Sequence, residues 1–312
     1  MALSSPADVA TALLSGNLVA ILVTFLIALS LPLLLHFSLY RSSSSALTND
    51  FILLGPSGGG KTCLFSLLER KSSTLPNPPK QTHTSQSTTS TTITLPPTIP
   101  TASNRFRSTN DESSKSPTKY QLTDTPGHGK LRSTQGTTLL STTLANKASK
   151  SKIRGVIYVV DASALAEGDE HLRTAAGYLH DTLLVLQRHK LKNQKAKDDI
   201  PVLVAANKQD LFTALPPGSV RAKLEAEIEK IRRTRSRGLL DPSVGTGPDR
   251  GDVDEEEEIL GGSEVQGAFS FKMLEEEVGV RVEVVGGAGR DDDESEVGDG
   301  VRRWEEWIGG CL

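Results

Sequence analysis

Asn49-Asp50-Phe51-Ile52-Leu53-Leu54, followed without a break by Gly55-Pro56-Ser57-Gly58-Gly59-Gly60-Lys61-Thr62 and then Cys63-Leu64-Phe65-Ser66-Leu67-Leu68-Glu69, is the stretch that decides the fold. The first segment ends in an apolar run of the length of a buried strand, and the last carries apolar residues at helical spacing. Between them stands G-x-x-x-x-G-K-T, in the strand-loop-helix context that a phosphate-binding loop requires. Its glycines let successive backbone N–H groups point inward at α and β phosphates, with the positive end of a helix dipole behind them. On this reading Gly55, Pro56, Ser57, Gly58, Gly59, Gly60 and Cys63 belong to the cradle. Lys61 reaches the β and γ phosphates, and the Thr62 hydroxyl ligates Mg²⁺. A glycine-rich turn ending in Lys-Thr by chance would need neither the strand nor the helix.

The loop alone does not choose between adenine and guanine nucleotides. Residues 200–206 (IPVLVAA) form the near-continuous apolar run of a strand in a parallel sheet and lead into Asn207-Lys208-Gln209-Asp210. This N-K-x-D pattern reads guanine. Asp210 accepts from the base N1–H and N2 amine, a donor pair that adenine lacks, and an unpaired buried carboxylate is costly. Asn207 braces loop and base, and the Lys208 stem covers the ring face. Between the two motifs, Lys119-Tyr120-Gln121-Leu122-Thr123-Asp124-Thr125-Pro126-Gly127-His128 is a short strand ending in D-T-P-G-H. Asp124 holds Mg²⁺ through water, and the Gly127 N–H meets the γ-phosphate, so this loop senses whether that phosphate is present. His128 reads as a water-positioning residue or as a polar loop residue, with nothing in the sequence to choose between them.

Residues 155–161 (GVIYVVD) are a further buried strand. Residues 169–190 carry Leu172, Ala176, Leu179, Leu183 and Leu186 at helical spacing. Residues 220–235 place Val220, Leu224, Ile228 and Ile231 on one face of an amphipathic helix. Residues 280–285 close the set of strands, and residues 301–308 (VRRWEEWI) form a last helix whose tryptophans pack on the fold. Such alternation gives an α/β fold, a mostly parallel doubly wound sheet with its ligand at the C-terminal ends of the strands. The expectation is a P-loop small-GTPase fold over residues 45–312.

Residues 18–37 (LVAILVTFLIALSLPLLLHF) carry no Lys, Arg, Asp or Glu. At about 1.5 Å per residue such a segment crosses a hydrocarbon core of about 30 Å. Residues 1–17 hold no Lys or Arg, so the basic leader of a cleaved signal peptide is missing. The expectation is one transmembrane helix at 18–38, embedded in membrane lipid, with residues 1–17 on the lumenal side and Arg41 on the cytosolic side.

Two Ser/Thr-rich or acidic stretches read as disordered inserts. Residues 71–118 are Ser/Thr-rich with scattered prolines, and residues 236–266 contain Asp254-Glu255-Glu256-Glu257-Glu258. The first falls where the first switch of a small GTPase belongs, and Thr84 is assigned there as a second Mg²⁺ ligand. Across 312 residues only 4% are aromatic, as dilution by such inserts requires. A net charge of -3 excludes a globally basic chain, so no sequence-specific nucleic-acid partner is expected. Two cysteines are too few for a disulfide-stapled secreted fold.

The apolar N-terminal segment, GPSGGGKT, DTPGH, NKQD, LEAEIEKIRRTRSRG, the acidic insert, FSFKML and RRWEEWI together resemble the family of signal recognition particle receptor beta subunits. The resemblance implies an Arf-like GTPase anchored in the endoplasmic reticulum membrane, binding GTP or GDP with Mg²⁺. In its GTP form it would bind the receptor alpha subunit, and through it serve ribosomes and the translocon indirectly in co-translational protein targeting. It leaves open whether hydrolysis is used. The family carries a Ser-Ala-Lys loop at guanine O6 after the last strand; the nearest match here is Ala288-Gly289-Arg290, which assigns Ala288 and Gly289 to the base. The alternative is a membrane-anchored Arf- or Ras-like trafficking GTPase that turns over GTP with an activating protein.

Overall fold

The computed structural model describes residues 22, 25, 26, 28–33, 48–73, 82–102, 117–146, 151–193, 199–240, 259–262, 268–289 and 299–312. The chain divides into two compact units, Met1–Leu47 and Thr48–Leu312. In the first, the described residues are helical, and Leu22, Phe25, Leu26, Leu29, Leu31 and Leu33 are all more than half exposed. Among the described residues no helix is long and apolar enough to cross a membrane. Most of the expected span at 18–38, and all of residues 1–17, lie outside the described residues.

The second unit is built on a six-stranded sheet in the order β2-β3-β1-β4-β5-β6. Its strands are β1 (Thr48–Leu54), β2 (Thr89–Thr94), β3 (Lys119–Asp124), β4 (Ser151–Asp161), β5 (Val202–Asn207) and β6 (Val282–Gly286). All neighbours run parallel except β2, which pairs antiparallel with β3. Helices α1 (Lys61–Ser72), α2 (Thr138–Ala145), α3 (Asp169–Lys192), α4 (Pro217–Leu240), α5 (Phe271–Val278) and α6 (Asp299–Cys311) cover it.

Strand alternation sorts the apolar residues onto two faces. Ile52 and Leu54 of β1, Val156, Tyr158 and Val160 of β4 and Val202, Val204 and Ala206 of β5 enter one core, with α3, α4 and α5. Phe51 and Leu53, Ile157 and Val159, and Leu203 and Ala205 enter the other, with α1 and α6. The expected helical stripes hold: Leu172, Ala176, Leu179, Leu183, Leu186, Val220, Leu224 and Ile228 are all buried. Trp304 and Trp307 pack as expected, with Trp304 Nε1 donating to the Val285 carbonyl at 3.0 Å. Trp307 lies edge-on to Phe51 over the backbone of Gly155, where an added Cβ would stand 2.8 Å from the indole.

Both inserts are smaller than the sequence reading makes them. Within 71–118, Thr89–Thr94 forms the edge strand β2, and Ile93, Leu95 and Ile99 are buried on the α1 and α6 side. Composition hides this because threonine, polar by count, is β-branched and suits a half-buried edge strand whose outer face is wet. Residues 74–81 and 103–116 of that stretch lie outside the described residues. Within 236–266, α4 continues to Leu240, and Ile259 and Leu260 are buried. Gln187 on α3 fixes that return: its Nε2 donates to Ile259 O at 2.9 Å, and its Oε1 accepts from Gly261 N at 2.8 Å. The acidic run itself lies outside the described residues.

Candidate functional site

The C-terminal ends of β1, β3, β4 and β5 converge, as a doubly wound sheet requires of its ligand crevice. At the end of β1 the chain turns at Gly55 with φ +137°, where a Cβ would stand 2.2 Å from the Val159 carbonyl oxygen. Gly60, at φ +92°, would meet the Asn207 amide at the same distance. These two positions accept only glycine, since left-handed backbone and close approach coincide. Residues Ser57, Gly58, Gly60, Lys61, Thr62 and Cys63 line a cavity of about 230 Å³ at the start of α1. Thr82, His83, Thr84, Ser85, Thr125 and Gly127 close its other side.

Lys61 is buried, and its ammonium donates to Gly55 O at 2.9 Å and Pro56 O at 2.8 Å. Burial lowers its pKa to about 8, partly opposed by the Asp124 carboxylate. Gly127 passes so near that a Cβ there would lie 2.4 Å from the Lys61 nitrogen, so the D-T-P-G loop is packed directly on the phosphate-binding loop.

Asp124 ends β3 with 1% exposure. Its Oδ2 accepts from Thr62 Oγ1 at 2.7 Å and from Ser85 Oγ at 3.2 Å, and the two hydroxyls are 2.7 Å apart. Its Oδ1 is buried with no hydrogen-bond partner. Burial raises the Asp124 pKa, against the hydroxyls, Lys61 and the Thr125 amide, which lower it. Two hydroxyls and one half-satisfied carboxylate form a hard oxygen set of the kind Mg²⁺ shares with nucleotide phosphates. Among the described residues no cluster of three or more His, Cys, Asp or Glu side chains competes for a metal. The hydroxyl that joins Thr62 and Asp124 in this arrangement is that of Ser85, next to the Thr84 assigned from sequence as a Mg²⁺ ligand. Thr84 lines the same cavity one residue away. His128 is exposed and is not among the cavity residues, so neither of its readings gains a contact here.

At the base end, Asn207 is 3% exposed and ties three segments together. Its Nδ2 donates to Gly59 O at 2.9 Å, and its Oδ1 accepts from Lys208 N and Gly289 N, each at 2.8 Å. Lys208 adopts φ +64° and its ammonium pairs with Asp161 at the end of β4. Asp210 is exposed at the rim. The loop after β6 is pinned on both sides: Gly287 N donates to Ala206 O at 3.0 Å, and Gly287 O accepts from Gln209 N at 3.1 Å. The two amides assigned to guanine are engaged within the protein. Ala288 N donates to Gly300 O at 3.1 Å, and Gly289 N to Asn207. Neither amide is therefore a free N–H in this arrangement.

Sequence reasoning missed Ser85, one hydroxyl among many, and Asp161, which stands at a strand end like Asp124 and Asn207 but in no pattern of its own.

A parallel sheet whose strand ends carry a phosphate-binding loop, a buried carboxylate meeting the loop threonine, and an asparagine-braced N-K-x-D turn defines a P-loop nucleotide-binding protein of the small-GTPase class. The particular family follows from comparison. Residues 46–278 match the family model described as signal recognition particle receptor beta subunit, and the chain belongs to that family. It is 29% identical over 190 residues to the signal recognition particle receptor subunit beta of Saccharomyces cerevisiae, covering 61% of this chain and 60% of that relative. The chain thus spans less than two thirds of that relative's length. Among solved structures, it is similar to the Chaetomium thermophilum receptor SRb in its GTP form with SRX, at 34% identity and TM-score 0.58, covering 84% of this chain and 97% of the other. The SRb-GDP-Mg form from the same organism gives 33% identity and TM-score 0.56, covering 86% and 99%.

Proposed function

We propose that this chain binds GTP and GDP with Mg²⁺ and acts as the nucleotide-dependent subunit of a signal recognition particle receptor. The observation that carries the reading is the meeting of Thr62, Ser85 and Asp124 beside Lys61, coupled through Gly59 to the Asn207 brace of the base pocket. The Thr62 hydroxyl and Asp124 would hold Mg²⁺, which would supply positive charge against the phosphates. Asp124 and Ser85 hold that hydroxyl in place. Lys61 swings from the Gly55 and Pro56 carbonyls to phosphate oxygens. The segment carrying Ser85 and the loop carrying Gly127 flank the same cavity, so a filled γ-phosphate position holds both in one arrangement and its loss releases them.

The surface so ordered is the docking site for the receptor alpha subunit. The SRX complex of the Chaetomium relative supports this. Residues 18–38 anchor the chain once in the endoplasmic reticulum membrane, N-terminus lumenal and nucleotide domain cytosolic, on the strength of their uncharged apolar sequence.

The test is equilibrium binding of fluorescent GTP and ATP analogues to the full chain in detergent, with and without Mg²⁺. Tight, Mg²⁺-strengthened binding of the guanine analogue alone is expected; equal binding of both, or none, overturns the reading. Capture from a membrane lysate with GTP or GDP bound reads the partner, which should appear only with GTP. Resistance to alkaline extraction from microsomes reads the anchor.

A further inference from the structure

We propose that Cys63 is a positioning residue for the nucleotide, its thiol closing a hydrogen-bonded ring that locks the loop after β6 onto the phosphate-binding helix and slows nucleotide release. The inference rests on the guanine-nucleotide reading above and deepens it.

The position after Lys-Thr is unconstrained in the G-x-x-x-x-G-K-[ST] pattern. Here it carries a thiol in the first turn of α1, and Cys63 Sγ donates to Gly289 O at 3.0 Å across 226 residues of sequence. The amide of the same Gly289 donates to Asn207 Oδ1 at 2.8 Å, and Asn207 Nδ2 donates to Gly59 O at 2.9 Å. From Gly59 the chain returns to Cys63 through Gly60, Lys61 and Thr62, so the ring is closed by three hydrogen bonds and four peptide links.

Both polar groups of Gly289 are thereby used, one toward the base turn and one toward the phosphate helix. The other ties of this loop run from Gly287 to Ala206 and Gln209 on the β5 side and from Ala288 to Gly300 on α6, none of them to the phosphate-binding helix. A nucleotide held between the phosphate loop and the base turn leaves when these two parts separate, and the Cys63 bond spans that seam. Burial keeps the thiol pKa above its ordinary value, only partly offset by Lys208, and so favours the protonated form that donates. Alanine at position 63 would leave the Gly289 carbonyl without this donor, whereas serine would keep one.

The experiment is a displacement assay on the full chain in detergent with Mg²⁺, in which N-methylanthraniloyl-GDP is chased by excess GDP. One net hydrogen bond corresponds to about fivefold in rate. Cys63→Ala is therefore expected to release about fivefold faster at an unchanged association rate, and Cys63→Ser to stay near wild type. Release from Cys63→Ala at the wild-type rate overturns the role, as does equal acceleration in both variants. A lower melting temperature of both nucleotide-free variants also overturns it, since general loosening would then explain the rates. If the wild-type chain fails to bind the analogue at all, the guanine-nucleotide reading falls first. Binding by the wild type with no effect of Cys63→Ala removes the Cys63 role alone.

Discussion

The phosphate end and the base end of the site are built on opposite plans. At the phosphate end the charged groups are buried: Lys61 rests on two backbone carbonyls, and Asp124, at 1% exposure, takes two hydroxyls on one oxygen and leaves the other without a partner. At the base end Asp210, the carboxylate proposed to read guanine, stands exposed, while the rigidity lies in Asn207, Gly287 and Gly289. The difference teaches where each kind of recognition is stored. Phosphate charge is strong, so its site is pre-formed with charge and dipoles aimed inward. Base discrimination needs one polar edge at a fixed distance, and the contacts here fix the turn that carries it.

The comparison breaks first at the phosphate end. Gly55→Ala forces a Cβ to within 2.2 Å of a carbonyl oxygen at φ +137°, and nucleotide binding should be lost together with roughly 3 kcal/mol or more of stability. Retained binding with wild-type denaturant stability would show that the turn can relax. Lys61→Ala should keep the fold but weaken GTP about 100-fold, the cost of removing one partner from a buried charge-assisted contact, read by titration.

At the base end, Asp210→Asn should weaken GTP by a comparable factor while improving binding of xanthosine triphosphate, because the donor and acceptor pattern is inverted. Unchanged preference would mean that an exposed Asp210 never meets the base. Ser85→Ala is the finer probe of the phosphate end. It should lower GTP affinity about fivefold in Mg²⁺ and little in a chelator, where Thr84→Ala should do less.

Lys61 also gives the phosphate end a pH dependence. The folded Lys61 pKa, about 8, lies below its ordinary 10.5, so between these values the unfolded chain holds a proton that the folded chain has lost. Stability of the nucleotide-free protein at this group therefore rises as pH increases from about 8 toward 10.5. Lys61→Met should remove that rise from melting curves taken across the window.

Legibility followed locality. The phosphate loop was readable because its glycines, lysine and threonine act within one turn of chain, and strand and helix periodicity on either side confirmed the context. Asp124 and Asn207 were readable because each ends an apolar strand in a recognisable pattern. Ser85 was not, since any hydroxyl of the segment satisfies the same composition and only the path of the chain into β2 sets which one reaches Asp124. The edge strand itself was concealed by threonine, which composition counts as polar and a sheet edge accepts as β-branched. For Ala288 and Gly289 the sequence shows a glycine-rich turn, not that both of its amides are engaged within the protein.

By itself, then, the sequence determined the five parallel strands, the long helices between them, and the identity of the phosphate and base motifs, because these rest on periodicity and on residues a few positions apart. Only the tertiary structure decided that Ser85 joins Thr62 and Asp124, that Asp161 holds Lys208, and that Cys63, Gly289, Asn207 and Gly59 form one ring. Each of those contacts joins segments tens to hundreds of residues apart, and their meeting is fixed by sheet register and helix packing, which no local pattern encodes.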